Sequence, residues 1–155
     1  VPVPFRKPFM AHDMAITRHY SLLLDFPLWS MTAPTRAEDR SRFGVLPRHA
    51  LSEAEVRWFD APGQYGYHVA NAWERDERVI DLVMVSSMNF SFRRSNLDLR
   101  LHHFALDLQL GETVEDDVLC DVPCDFPVVD PRRVGHRTRF LWASRLCRGV
   151  QEPLP

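Results

Sequence analysis

The fold class is decided most clearly by residues 97–108, whose sequence is LDLRLHHFALDL. Apolar residues fall at every second position of this stretch, with a slip of register at the paired histidines. Alternation with a period of two is typical of a β-strand with one buried face, and the slip indicates a bulge near His102. Gly111 follows closely and can adopt a positive φ, which predicts a hairpin turn over residues 108–112.

Three further runs are short and rich in Val, Ile, Leu, Tyr, Phe and Trp, which predicts strands; they cover residues 65–72, 78–85 and 137–143. Helix signals are confined to two single turns. One lies over residues 34–40, where Thr32 could cap it, and the other over residues 52–55. We therefore expect an all-β fold, either a sandwich, a barrel or a propeller, and no fixed repeat selects among them.

Composition narrows the classes of function. The chain has 155 residues, of which 45% are hydrophobic and 26% charged, as in an average soluble domain. Its net charge of −2 gives no reason to expect a nucleic-acid partner. The apolar stretches are far shorter than the roughly 20 residues of a membrane-spanning helix. Neither end carries a signal segment or a capping element, which is expected both for a mature processed protein and for a piece of a longer chain.

Three cysteines form no disulfide framework, and their odd number and low density indicate a reducing compartment. They are Cys120, Cys124 and Cys147. Three residues separate the first two, and the chain has no second pair. A structural zinc site is therefore not expected.

Histidines are the candidates for chemistry, since the chain has seven of them and carries no phosphate loop and no nucleophile elbow. His12 and His68 stand in apolar segments. A buried neutral imidazole must satisfy both nitrogens, which a metal on one and a carboxylate on the other would do. The pattern by itself favours a hydrogen-bonded structural histidine at each position. The other histidines are expected at the surface or at strand edges; they are His19, His49, His102, His103 and His136.

Eight short blocks follow one another along the chain. They read MAHDMAIT (10–17), LLLDFPL (22–28), RFGVLPR (42–48), VRWFD (56–60), YHVANAWE (67–74), LDL (106–108), CDFPVVD (124–130) and RTRFLW (137–142). In this order they resemble the carotenoid cleavage oxygenases over about residues 8 to 144. Several collinear blocks together carry this resemblance, where any one of them would be weak.

The resemblance implies a seven-bladed β-propeller with a non-haem Fe(II) on its axis, held by four histidines from different blades. His12 and His68 take the places of two of these ligands, and the other two fall outside this chain. Asp125 matches a carboxylate that accepts the far N–H of a ligand histidine, here His68. Many members carry Glu there, so the shorter Asp requires a closer backbone or a bridging water. Alternatively, Asp125 only caps the turn before Pro127.

The implied activity is that of an Fe(II)-dependent dioxygenase, in which O₂ cleaves a carbon–carbon double bond of a carotenoid or apocarotenoid into two carbonyl products. Residues 1–155 would be a single partial domain of that enzyme, inactive in isolation. Two alternatives remain, a retinoid isomerase-like member of the same fold and a non-catalytic carotenoid-binding or scaffold propeller. Any peripheral membrane contact would come from other parts of the parent chain, whose compartment we expect to be plastid or cytoplasm.

The residues that bind substrate are not predicted. Aromatic residues of the runs could line a polyene tunnel, but core packing is the more common role of such residues. They are Trp58, Phe59, Trp73, Phe104 and Trp142. Asn71 and Glu74 are expected to shape the turn after the strand of His68.

Overall fold

The computed structural model describes residues 1–6, 11–26, 39–88 and 98–146. Within these ranges the chain forms strands and two single 3₁₀ turns, with no α-helix, which confirms the expected all-β class. The strands are β1 Ala15–Ile16, β2 Tyr20–Asp25, β3 Ser41–Pro47, β4 Arg57–Ala61, β5 Val69–Arg75, β6 Val79–Ser86, β7 Arg100–Asp107, β8 Glu112–Cys120, β9 Cys124–Val128 and β10 Trp142–Arg145. The 3₁₀ turns cover Glu53–Glu55 and Pro131–Arg133. No helix in the described ranges is long and apolar enough to cross a membrane.

Two four-stranded antiparallel sheets follow one another, each with its strands in chain order. The first sheet is β1-β2-β3-β4, the second is β5-β6-β7-β8, and β9 pairs with β10 to begin a third unit. The first strands of successive units contact each other, β1 with β5 and β5 with β9, and the last strands β4 and β8 also meet. Successive sheets aligned strand for strand in this way are the arrangement of propeller blades.

The core lies between the two sheets and consists of side chains from their facing surfaces. Phe43 of β3 meets Phe104 of β7 with ring centres 4.9 Å apart, and both side chains are fully buried. Phe26 and Tyr65 extend this contact, with ring centres 5.5 Å apart. Removing such a side chain from water contributes about 1.5–3 kcal/mol, so this aromatic layer holds one sheet against the next.

Strand β7 confirms the prediction from residues 97–108 in two respects. Its pairing with β8 shifts register between Leu101 and His102, where the bulge was expected, and Gly111 turns the chain with a φ of +76°. The expectation of a single buried face was wrong. His102 is 6% exposed and its ring stacks on Phe104, so the expected surface position of His102 was also wrong. The reason is that β7 is an interior strand of a sheet that is covered on both sides.

Other local predictions had mixed outcomes. Ser52 and Glu55 form a capping box around the turn predicted at 52–55. Of the run 137–143, only the part from Trp142 onward is a strand. The charged strand β8 was not predicted, because none of its residues is fully buried and its sequence shows little apolar alternation. The turn expected at 34–40 falls mostly on residues 27–38, outside the described residues.

Candidate metal centre

The two predicted ligand histidines lie side by side. His12 precedes β1 and His68 immediately precedes β5, and because these strands are neighbours their preceding loops meet at the same end. The two ring centres are 5.3 Å apart with an angle of 79° between the ring planes. The fold therefore brings together two imidazoles that are far apart in the sequence.

This separation can be compared with what a shared metal ion requires. Imidazoles bound through nitrogen place their ring centres about 3.3 Å from the ion, given metal–nitrogen bonds of about 2.1 Å. At angles of about 90–110° between ligands, the ring centres are then about 4.7–5.4 Å apart. The observed 5.3 Å lies in this range, so the separation of the two rings is compatible with a shared ion. That the rings bind a metal stays a prediction.

Asp125 braces the second histidine directly. Its Oδ1 lies 2.7 Å from Nδ1 of His68, and its side chain is only 10% exposed. A carboxylate at this distance favours the tautomer with the proton on Nδ1, which leaves the lone pair of Nε2 available to a metal. The shorter Asp therefore reaches the ring without a bridging water.

The backbone beside Asp125 has an unusual conformation. The amide of Phe126 donates to Asp125 Oδ1 at 2.7 Å, so the carboxylate serves the local turn as well as the imidazole. Phe126 has a φ of +53°, in the left-handed region that a residue with a side chain seldom adopts. Its ring centre lies 4.8 Å from that of His68. The two roles considered for Asp125, as a residue that caps the local turn and as the partner of His68, are thus compatible.

Asp13 was missed by the sequence reasoning, although it stands beside His12 in the first block. Its Oδ2 accepts the backbone N–H of Val69 at 2.7 Å, and its Oδ1 accepts that of Met14 at 2.7 Å. The residue that follows His12 is therefore bonded to the residue that follows His68. The adjacent His-Asp pair was the only signal in the sequence, and it does not reveal a partner 56 residues away.

Glu74 of β5 makes a second link, to the turn that follows β1. It accepts hydrogen bonds from Thr17 Oγ1 at 2.5 Å and from the backbone N–H of His19 at 2.8 Å. Its other oxygen lies 2.7 Å from His19 Nδ1. Burial alone would raise the pKa of Glu74, but the hydrogen bonds from Thr17 and His19 outweigh it and leave the pKa below its usual value.

Asn71 links β5 forward to the segment that follows β9. Its Nδ2 donates to the carbonyl oxygens of Arg133 and His136 at 3.1 and 2.9 Å, and its Oδ1 accepts the N–H of Gly135 at 3.0 Å. The expectation that Asn71 and Glu74 shape the turn after their own strand was wrong. Both side chains instead join β5 to segments more than 50 residues away in sequence.

Aromatic side chains surround the histidine pair. Tyr67 lies with its ring centre 4.9 Å from that of His12 and 5.3 Å from that of Tyr65. Burial, and the nearby phenol of Tyr67, raise the pKa of Tyr65 to about 12. Burial, with the charge of Asp125, also raises the pKa of Tyr67. Both phenols therefore stay neutral at physiological pH.

The aromatic residues considered for a substrate tunnel have different locations. Phe59 and Phe104 are fully buried in the core. Trp58 lies under the guanidinium of Arg42, whose Cζ is 3.8 Å from the ring centre. Trp142 is 59% exposed. Trp73 is partly buried and packs against the same core. Core packing thus accounts for three of the five, and the positions do not define a tunnel.

A second charged cluster lies on the outer strands of the second sheet. Ligand atoms of His103, Glu115 and Asp117 lie within 4.8 Å of one another. His103 Nε2 is 2.9 Å from Asp81 Oδ1, and Arg75 contacts both Asp81 and Glu115 at 3.1 Å. The hydrogen bond to Asp81 is the largest cause that raises the pKa of His103. An imidazolium among these carboxylates accounts for the cluster without a metal.

The fold and the site together define a protein built of propeller-like sheets with a pair of histidines at one end of two neighbouring strands. Comparison of the sequence with protein families identifies the family. Residues 1–152 match the family described as retinal pigment epithelial membrane protein. The chain belongs to that family, as the resemblance to carotenoid oxygenases predicted.

Curated relatives are similar over almost the whole chain. The carotenoid 9,10(9',10')-cleavage dioxygenase 1 of Pisum sativum is 29% identical over 94% of this chain and 30% of its own length. The zeaxanthin 7,8(7',8')-cleavage dioxygenase of Crocus sativus is 30% identical over 100% of this chain and 44% of its own length. The isoeugenol monooxygenase of Pseudomonas putida is 30% identical over 96% and 34%. The chain thus spans less than half the length of these relatives.

Solved structures confirm the fold. Cobalt-substituted apocarotenoid oxygenase of Synechocystis superposes with a TM-score of 0.67 at 21% identity, over 86% of this chain and 32% of that one. Lignostilbene dioxygenase of Pseudomonas brassicacearum gives 0.68 at 24% identity, over 88% and 33%. The two sheets and the start of the third are therefore part of a β-propeller.

Proposed function

We propose that this chain is part of an Fe(II)-dependent enzyme that uses O₂ to cleave a carbon–carbon double bond of a carotenoid or apocarotenoid into two carbonyl products. The pairing of His12 with His68, whose Nδ1 is held by Asp125, is the observation that carries the proposal. Neutral imidazoles leave a bound ion its full charge, and Fe(II) there would supply the activation of O₂. The carotenoid class rests on the names of the plant relatives.

The residues of this chain would act by holding and orienting. His12 and His68 would each offer one ring nitrogen, and Asp125 would keep the proton of His68 on Nδ1, away from the ion. Neutral Tyr67 and the ring of Phe126 lie against the two imidazoles and would limit the access of water. We expect the remaining ligands, and any contact with a membrane surface, to come from the rest of the longer protein.

The test is the iron content of the longer protein that contains this chain. We expect one iron per molecule in the wild type and loss of most of it in His12→Ala and in His68→Ala, because each removes a ligand. His49→Ala is the matched control, since His49 is exposed and should keep its iron. Full retention of iron in both ligand variants would refute the proposed site.

A second candidate is cleavage of an alkene conjugated to an aromatic ring. The isoeugenol monooxygenase is 30% identical to this chain, as much as the Crocus carotenoid enzyme. Both substrate classes are apolar and carry a conjugated double bond. Incubation of the longer protein with a carotenoid and with isoeugenol, followed by mass spectrometry of the aldehydes, separates the two.

Labelling with ¹⁸O₂ tests the reaction type. A cleavage oxygenase incorporates label into its carbonyl products, whereas a retinoid isomerase-like activity leaves the product unlabelled. A carrier or scaffold protein would turn over neither substrate and would release it unchanged. We expect labelled products.

A further inference from the structure

We infer that Asp13 is a positioning residue that holds His12 in register with His68, and so controls the metal affinity of the centre. The inference rests on the proposed function. It assigns to a carboxylate outside the predicted site the role of fixing the position of one histidine relative to the other.

The two histidines are positioned by different means. The ring of His68 is held through its Nδ1 by the largely buried Asp125. The ring of His12 is exposed and meets Tyr67 and His68 edge to face, and no hydrogen bond to its nitrogens is found within the described residues. The position of the His12 ring therefore depends on its backbone.

Asp13 fixes that backbone. One carboxylate oxygen accepts the N–H of Met14 and the other accepts the N–H of Val69, each at 2.7 Å. The first bond sets the local turn, and the second ties the turn to the residue after His68. Both carboxylate oxygens thus accept a hydrogen bond. The backbones at His12 and His68 are connected through the side chain of Asp13 and the amide of Val69.

Glu74 completes the arrangement at the other end of the two strands. It binds Thr17 and the backbone of His19, while Asp13 binds Val69, so β1 and β5 are joined by a carboxylate at each end. Only the Asp13 link is adjacent to the histidines. Loss of Asp13 should therefore free the His12 loop locally, while Glu74 keeps the strands together.

The consequence for a metal follows from geometry. A ligand set works when its members are held within about 0.5 Å of the productive positions, and loss of a supporting partner typically lowers metal affinity about 10–100-fold. We expect Asp13→Ala to fall in this range. Asp13→Asn should lose less, because its single carbonyl oxygen can replace one of the two accepted hydrogen bonds.

The experiment is a titration of the longer metal-free protein with Co(II), followed by the visible absorption of the bound ion. We expect the dissociation constant to rise about 10–100-fold in Asp13→Ala and by a smaller factor in Asp13→Asn, with altered band positions in both. The thermal unfolding midpoint of each variant is measured alongside. Asp121→Ala, in the exposed connection between β8 and β9, is the matched control and should bind like the wild type.

The outcomes separate the inference from the proposed function. If neither the wild type nor His12→Ala binds Co(II), the proposed function fails. If the wild type binds and His12→Ala does not, but both Asp13 variants keep the wild-type affinity and spectrum, the inference is overturned. A lower midpoint with unchanged affinity and spectrum also overturns it, since that is a structural role alone. Should Asp13→Ala not fold, the isosteric Asp13→Asn decides.

Discussion

At the scale of single residues, each histidine of the pair has a carboxylate nearby: Asp125 contacts the ring of His68, and Asp13 follows His12 in the sequence. Asp125 of β9 reaches His68, the residue before β5, with 2.7 Å between Oδ1 and Nδ1, although its side chain is one methylene shorter than that of Glu. The next residue, Phe126, takes a left-handed φ of +53°, and its amide donates to the same Asp125 oxygen. One oxygen of Asp125 therefore contacts both the imidazole and the local backbone.

This gives a prediction for Asp125. Asp125→Asn should lower the metal affinity of the longer protein about 10–100-fold, because an amide oxygen is a weaker acceptor for the His68 N–H and can also turn its NH₂ toward the ring. Asp125→Glu should not raise the metal affinity above that of the wild type, since Asp125 already lies 2.7 Å from the His68 ring. Iron content and Co(II) affinity measure both. Wild-type affinity in Asp125→Asn would show that His68 needs no carboxylate.

At the scale of elements, the second sheet contains an ionic network across its strands. His103 of β7 lies between Asp81 of β6 and Glu115 of β8, with Nδ1 of the ring 3.6 Å from Glu115. Asp117 faces the same ring, and Arg75 of β5 balances part of the negative charge. The net acidic surroundings favour the imidazolium, so the pKa of His103 lies above its usual value.

The raised pKa predicts how stability depends on pH. A group with a higher pKa in the folded state binds its proton more tightly there, so its contribution is complete below about pH 6.5 and is lost as pH rises through the folded pKa. The slope for one proton is at most about 1.4 kcal/mol per pH unit. We expect the pH dependence of unfolding by denaturant to flatten above pH 6 in His103→Gln.

The matched control for this prediction is His49→Gln, because His49 is exposed and lies outside the network. It should leave the pH dependence of the wild type unchanged. An identical pH profile in His103→Gln and the wild type would mean that the His103 contacts do not contribute to folding.

At the scale of the whole molecule, the units are joined in two ways. Polar side chains join successive units: Asp13, before β1, accepts the N–H of Val69 in β5, and Asn71 of β5 bonds to the segment after β9. Aromatic rings fill the space between the first two sheets. The polar links set the relative position of the loops that carry the histidines. The aromatic layer stabilises the contact between the sheets, because it removes large apolar surfaces from water.

The aromatic layer gives a prediction for stability. Phe104→Ala should lower the free energy of unfolding by about 3–5 kcal/mol, since it leaves a cavity against Phe43 between the sheets. Both sheets should still unfold in one transition, followed by circular dichroism and tryptophan fluorescence. Phe140→Ala is the matched control, because Phe140 is 65% exposed and should change stability by less than about 0.5 kcal/mol. A loss below 1 kcal/mol in Phe104→Ala would contradict the assigned core.

The predictions from sequence were accurate where the interactions are local. The bulge at His102, the turn at Gly111 and the capped turn at Ser52 each follow from a few adjacent residues. They failed for His102 and for β8, because burial depends on the neighbours of a strand in the sheet. The alternation along β7 could not reveal that both its faces are covered.

The amino-acid sequence by itself determined the β class, the turns and, through collinear blocks, the family. These properties follow from side-chain alternation, backbone freedom and residue identity over short distances. Only the tertiary structure decided that Asp13 meets Val69, that Glu74 meets the turn after β1, and that Asp125 reaches His68 directly. Such contacts join residues more than 50 positions apart, and their geometry depends on how successive sheets pack, which no local pattern encodes.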